Sequence, residues 1–162
     1  TKITRRVTRA GTASLQVAFD DIETFILEKL QKVDEVKGVI CWLSNARLLD
    51  ALASRQADIV VTADSKISQR VLGQYNKCKS VRILGRARGR YRAFAHDKFV
   101  VGMKQGKPTF VITGSYNWSA HSAGNIENII YITNKRIVTA YLNEFQAIRA
   151  ASRARRKKRK RT

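Results

Sequence analysis

The chain has 162 residues, about one domain's worth, and 44% of them are apolar, enough to bury a sizeable core, which excludes a wholly disordered chain. Lys and Arg number 32 against 12 Asp and Glu, a formal net charge of +20 that exceeds what solubility requires and points to a polyanionic partner. No run reaches the roughly 18 to 20 consecutive apolar residues of a membrane helix, and the opening Thr1-Lys2-Ile3-Thr4-Arg5-Arg6 lacks the apolar stretch of a signal peptide.

Residues 1–10 carry Lys2, Arg5, Arg6 and Arg9 without an acid and read as a basic arm, because uninterrupted like charge repels itself and buries nothing. Leu15 to Phe19 reads as a strand. Asp20-Asp21 then supply a cap and first-turn negative charge for a helix with Ile22, Phe25, Ile26, Leu30 and Val33 on its apolar face. Val39-Ile40-Cys41-Trp42-Leu43 is a continuous apolar strand, followed by Ser44-Asn45 as a cap and a helix with Leu48, Leu49 and Leu52. Ile59-Val60-Val61 repeats the pattern, with Asp64 or Ser65 capping a helix through about Tyr75, and Val81 to Leu84 is a fourth strand. Strands apolar on both faces that alternate with helices predict βαβ units and a mainly parallel sheet.

Beyond Tyr91 the rhythm changes. Phe99-Val100-Val101 and Thr109 to Ile112 flank Lys104-Gln105-Gly106-Lys107-Pro108, a hairpin signal. Ile129 to Ile132 is a further strand, and Arg136 to about Ile148 a last helix with Ile137, Tyr141, Leu142 and Phe145 at core spacing. Residues 149–161 hold nine basic residues and no acid, a second basic segment. The expected organisation is therefore an arm at 1–10, one α/β domain at 11–148 with a mixed, mainly parallel sheet flanked by helices, and a tail at 149–162. Cys41 and Cys78 form neither a disulfide framework nor a metal-ligand spacing, so Cys41 reads as a small buried residue and the compartment as reducing. A soluble protein is expected, cytoplasmic for a bacterial or viral source and nuclear for a eukaryotic one. The chain starts without Met, as one processed or cut from a longer protein would.

Three stretches carry chemistry: His96-Asp97-Lys98, Gly114-Ser115-Tyr116-Asn117-Trp118-Ser119 and Asn125-Ile126-Glu127-Asn128. Singly, each is ordinary, since His-x-Lys occurs by chance and Gly-Ser-x-Asn is common turn chemistry. Their order is informative. Two residues apart at the start of an apolar strand, His96 and Lys98 face the same way, and the Gly-Ser-Tyr-Asn turn closes the hairpin's second strand, which can bring His96, Lys98 and Asn117 to one end of a sheet. Tyr116 and Trp118 beside that turn read as packing residues before base-stacking ones, and His121 as an ordinary loop or helix-end histidine.

In these stretches the sequence resembles the phospholipase D superfamily, most closely its small nucleases with one motif per chain that work as dimers. The match covers about Ala93 to Asn134, and Trp42-Leu43-Ser44 before a helix extends it across most of the domain. The resemblance implies that His96 is the nucleophile, that Lys98 and Asn117 hold phosphate oxygens, that Ser115 supports them and that Glu127 orients His96. One position departs: the family's Asp, which follows His-x-Lys after four residues, falls at Met103.

Cleaving a phosphodiester needs a nucleophile, donors for the extra charge on phosphorus and an acid for the departing oxygen. Because the chain offers a single His-x-Lys, the acid falls to His96 of a second copy, so the enzyme reading requires a homodimer. The expected function is a metal-independent endonuclease with no cofactor, acting on nucleic acid, DNA ahead of RNA. Arg86, Arg88, Arg90 and Arg92 before the motif, and Arg155, Arg156, Lys157 and Lys158 in the tail, would grip backbone phosphates. Two alternatives stand beside it: a binding protein with a degenerate motif, and a phosphodiesterase of anionic lipids.

Overall fold

The computed structural model describes residues 3–4, 7–63, 67–85 and 94–155. The strands are β1 (Arg9–Gly11), β2 (Leu15–Ala18), β3 (Glu35–Ile40), β4 (Asp58–Thr62), β5 (Ser80–Leu84), β6 (Lys98–Lys104), β7 (Lys107–Gly114), β8 (Ile129–Ile132) and β9 (Arg153–Ala154). The helices are α1 (Ile22–Leu30), α2 (Ala46–Ala53), α3 (Gln69–Tyr75) and α4 (Lys135–Ala151), with a short 3-10 helix at Ala120–Gly124. The strands form one nine-stranded sheet in the order β1-β2-β8-β7-β6-β3-β4-β5-β9.

The sheet is mixed, as expected, but mostly antiparallel. Among the described strands, only the β3–β4 and β4–β5 pairings are parallel, and the βαβ rhythm of the first half identifies just those. The second half enters as the β6–β7 hairpin and β8, and β6 pairs antiparallel with the whole of β3, from Glu35↔Met103 to Ile40↔Lys98. Gln105 and Gly106 make the hairpin turn with φ of 51° and 75°, the two left-handed residues that match strand twist in a two-residue loop.

Helices cover both faces. On one, α1, α2 and α3 pack Phe25, Ile26, Leu30, Leu48, Leu49, Leu52 and Val71 against Val36, Ile40, Ile59, Val61, Val100 and Ile112. On the other, α4 lays Val138 and Phe145 over Val39, Val60, Phe99, Val101, Met103 and Val111. In α4 Phe145 is buried and Tyr141 and Leu142 pack against the same cluster, as expected; at the first position of the stripe the buried residue is Val138, 1% exposed, in place of the expected Ile137, 41% exposed.

Helix starts follow cap chemistry. Asn45 Oδ1 accepts from the Leu48 amide, and Asn134 Oδ1 accepts from Arg136 and Ile137. Asp21 occupies the cap position of α1 in a left-handed conformation and makes no side-chain cap bond, unlike the expected Asp cap. Ser68 caps α3 through the Val71 amide, four residues after Asp64, which, with Ser65, lies outside the described residues.

The basic ends are shorter than charge alone suggests. Arg9 belongs to β1, and its guanidinium reaches Glu28 at 2.9 Å and lies over Phe25. The expected boundary at 148/149 falls inside α4, where Arg149 bonds Asp58 at 2.7 Å. Beyond the helix, β9 pairs with β5, and Arg82 bonds Ser152 through Nε and through Nη2, each at 2.8 Å. A short edge strand satisfies donors that an open β5 edge would present to another chain.

Phe145→Ala is expected to lower unfolding free energy by about 3–5 kcal/mol and Ile137→Ala by less than about 1 kcal/mol, read from urea denaturation midpoints; equal losses would contradict this helix orientation.

Candidate active site

The ends of several strands converge at one edge of the sheet. The register Ile40↔Lys98 puts the end of β3 beside the start of β6, and Gly114↔Ile129 puts the end of β7 beside the start of β8. His96, Lys98, Ser115 and Asn117 thus leave the sheet at the same end. The Trp118 carbonyl ties the second loop to the first by accepting from the Ser44 and Asn45 amides at 2.8 and 3.0 Å, just ahead of α2. Trp118 and Tyr116 are buried at 1% and 3% exposure, so they pack, as the sequence suggested.

Lys98 and His96 share a face. The Lys98 Nζ lies 3.4 and 3.3 Å from the two His96 ring nitrogens and donates to the His96 carbonyl at 2.7 Å. Lys98 is 9% exposed while His96 is exposed. Among the described residues, no carboxylate forms an ion pair with Lys98. A buried cation without a counter-ion is costly, and an anion docked at His96 would relieve that cost.

Cys41 joins the two halves of the site, a role that composition and spacing do not reveal. Its Sγ donates to Asn117 Oδ1 at 3.1 Å, and its amide donates to the Asp97 carbonyl at 3.0 Å. Burial pushes the Cys41 thiol up from its ordinary range, and the adjacent Lys98 ammonium pulls it partly back. The thiol therefore stays protonated near neutral pH and remains a donor. With Oδ1 of Asn117 held by Cys41, its Nδ2 donors are left for another acceptor. The only sequence signal for this was a cysteine at the end of an apolar strand.

Ser115 and Glu127 form a second group. Ser115 Oγ donates to Glu127 Oε2 in a short hydrogen bond and accepts from the Asn128 amide at 3.0 Å, and Asn125 Nδ2 donates to Glu127 Oε1 at 3.3 Å. The expected contact from Glu127 to His96 is not formed among the described residues. Glu127 instead holds Ser115, since its two oxygens are taken up by neighbours on the same loop.

His96 is flanked by aromatic rings. Trp42 meets it edge-on at 5.7 Å and 81°, Phe94 at 5.5 Å and 83°, and the two rings lie 6.5 Å apart. Alongside runs a cleft of about 490 Å³ lined by Cys41, Trp42, Leu43, Asn117, Ser119 and His121, among others. His121 is exposed in the 3-10 helix. Met103 is 4% exposed under α4.

Of the expected phosphate-gripping residues, Arg86, Arg88, Arg90, Arg92, Arg156, Lys157 and Lys158 lie outside the described residues. Arg155 is described and is engaged by the fold: it bonds Asn76 at 2.6 Å and the Val81 carbonyl at 3.3 Å, and lies over the Tyr75 ring.

Because the Cys41 thiol is 1% exposed and its pKa is raised, iodoacetamide at pH 8 is expected to leave it unmodified in the folded chain and to alkylate it in urea, as read by mass spectrometry. Fast alkylation without denaturant would show that the thiol is open to solvent.

The family model described as "Cardiolipin synthase, PLD-like domain" matches residues 27–149. Among solved structures, the chain is similar to Nuc from Salmonella typhimurium, a phospholipase D family member, with a TM-score of 0.68 and 17% identity over 89% of this chain and 99% of that one. It is also similar to NucT from Helicobacter pylori, with a TM-score of 0.71 and 16% identity over 88% of this chain and 99% of that one. An uncharacterized protein of Acanthamoeba polyphaga mimivirus is 39% identical over 54 residues, 33% of this chain and 19% of that protein, so the chain spans a small part of that relative. The matched segment contains strands β3 to β8, the His96–Lys98 pair and the Ser115–Asn117 turn, and the chain belongs to the phospholipase D-like domain family.

Proposed function

We propose that this chain is a nuclease that cleaves phosphodiester bonds of nucleic acid through a phosphohistidine intermediate, without a metal ion and as a homodimer. The observation that carries the reading is the buried Lys98 ammonium, lacking a described carboxylate partner, 3.3 Å from the imidazole of an exposed His96. A phosphodiester fits that arrangement, since it supplies the missing negative charge and presents phosphorus to the ring.

In the first step a neutral His96 nitrogen attacks phosphorus and the bond to the leaving oxygen breaks. Lys98 Nζ and Asn117 Nδ2 donate to the non-bridging oxygens, where charge builds up. The leaving oxygen takes its proton from the protonated His96 of the second copy. In the second step that same imidazole, now neutral, removes a proton from water as the water attacks phosphorus. The phosphorus–nitrogen bond breaks and the first His96 is regenerated. Cys41 holds Asn117, and Glu127 acts through Ser115. Donors already supply the charge stabilisation for which a cation would otherwise be needed.

Cleavage of labelled DNA or RNA is expected to persist in EDTA. His96→Ala should remove turnover while polyanion binding stays near that of the parent chain, because one imidazole adds little to 32 basic residues. Lys98→Ala and Asn117→Ala should each cost roughly 100-fold in kcat. Sedimentation should show a dimer under active conditions. Turnover that vanishes in EDTA and returns with magnesium, or that His96→Ala leaves intact, would overturn the mechanism. Cardiolipin vesicles cleaved in preference to nucleic acid would move the substrate to lipid.

A second expectation concerns the end of the chain. Arg149, Arg153 and Arg155 belong to the fold, so removing residues 156–162 takes away six basic residues without cutting β9. Duplex binding should weaken, and the slope of log affinity against log salt should flatten by about 0.9 for each phosphate that is no longer neutralised. An unchanged slope would assign the segment to another task.

A further inference from the structure

We infer that Trp42 and the cleft beside it form a stacking site for one unpaired nucleobase next to the scissile phosphate, which selects single-stranded over duplex nucleic acid; the inference rests on the nuclease reading above. The chain has two tryptophans. Trp118 is 1% exposed, whereas Trp42 is 37% exposed, on the loop between β3 and α2. Covering exposed aromatic area with a ligand is favourable, and the ring is already held: His96 and Phe94 meet each other edge-on, and Trp42 is edge-on to His96 and tilted to Phe94. A stacking surface in contact with the proposed nucleophile fixes the distance between a bound base and the reacting phosphorus to about one nucleotide.

The cleft that Trp42 lines has the chemistry of a base. Its volume of about 490 Å³ falls within the range of about 300–1,000 Å³ for small-molecule sites. Leu43 and Ile67 offer apolar wall, while Ser119, His121 and Asn125 offer hydrogen-bonding groups. A nucleobase has the same division, with apolar faces and a polar edge. In a duplex both faces of each base are already stacked, so only an unpaired base can occupy the site without breaking pairs, and aromatic stacking of this kind does not discriminate strongly among bases.

The test uses the full chain and three probes of equal length: a thymidine oligonucleotide, the same backbone with tetrahydrofuran abasic residues, and a duplex. With the His96→Ala variant, which cannot turn substrate over, the thymidine strand should quench tryptophan emission. The abasic strand and the duplex should quench it far less, and Trp42→Ala should abolish the effect. In the chain carrying His96, kcat/KM should favour the thymidine strand over the abasic one by roughly 10-fold or more. That ratio should collapse toward one in Trp42→Ala and largely survive in Trp42→Phe. If Trp42 only props His96, its removal slows both strands equally and the ratio is preserved, which overturns the inference. Equal cleavage of both strands with no quenching overturns the base site and leaves the nuclease standing. Base-dependent quenching with no cleavage of any strand does the reverse. A response to cardiolipin vesicles without a response to the thymidine strand overturns both.

Discussion

A lysine buried at the end of a sheet, with no described acid to pair with it, organises this molecule. Lys98 is the first residue of β6, and its place is set by the antiparallel pairing of β6 with β3, which aligns it with Ile40. The same register puts Cys41, the next residue after β3, against Lys98 on one side and Asn117 on the other. The cost of burying an ammonium is partly offset by the His96 carbonyl at 2.7 Å, but a neutral acceptor does not cancel a full charge. Among the described residues this leaves the Lys98 charge unpaired where the imidazole is exposed, the arrangement on which the proposed phosphate site rests.

Much of this was legible in the sequence because the chemistry is local. His96 and Lys98 sit two apart on one strand, and Gly114 to Asn117 form a single turn, so spacing alone aligns their side chains. The pairings were not legible. Apolar strands such as Phe99-Val100-Val101 read the same beside a parallel or an antiparallel neighbour, and the insertion of β6 between β3 and β7 depends on strands some sixty residues apart in the chain. That insertion makes the sheet mostly antiparallel and also brings Cys41 and Trp42 to the site, so both were missed for the same reason. The exchange of Ile137 for Val138 at the start of the α4 stripe has a different origin: the two are adjacent apolar residues, and only packing against β6 and β7 decides which one faces inward.

Charge patterning misleads in a related way. A basic run reads as a solvated arm because like charges repel, yet Arg9, Arg149 and Arg155 are each paired or stacked within the fold. An arginine can belong to a basic run in sequence and still find an acid, an amide or an aromatic face in space. The phosphate-binding reading of the tail therefore narrows to residues 156–162.

The departure at Met103 can be weighed on the same geometry. Side chains alternate along a strand, so Lys98 and Val100 lie on one face of β6 while Phe99, Val101 and Met103 lie on the other, against α4. Five residues also separate Met103 from Lys98 by about 16 Å along the strand. A side chain at that position cannot reach the Lys98 end of the strand, whatever its charge. An acid there would be buried beneath α4 and would need its own partner, whereas Met103 fills the space with apolar surface beside Val39, Val60 and Phe145. The substitution therefore changes how β6 is packed against α4 and leaves the donors around His96 as they are.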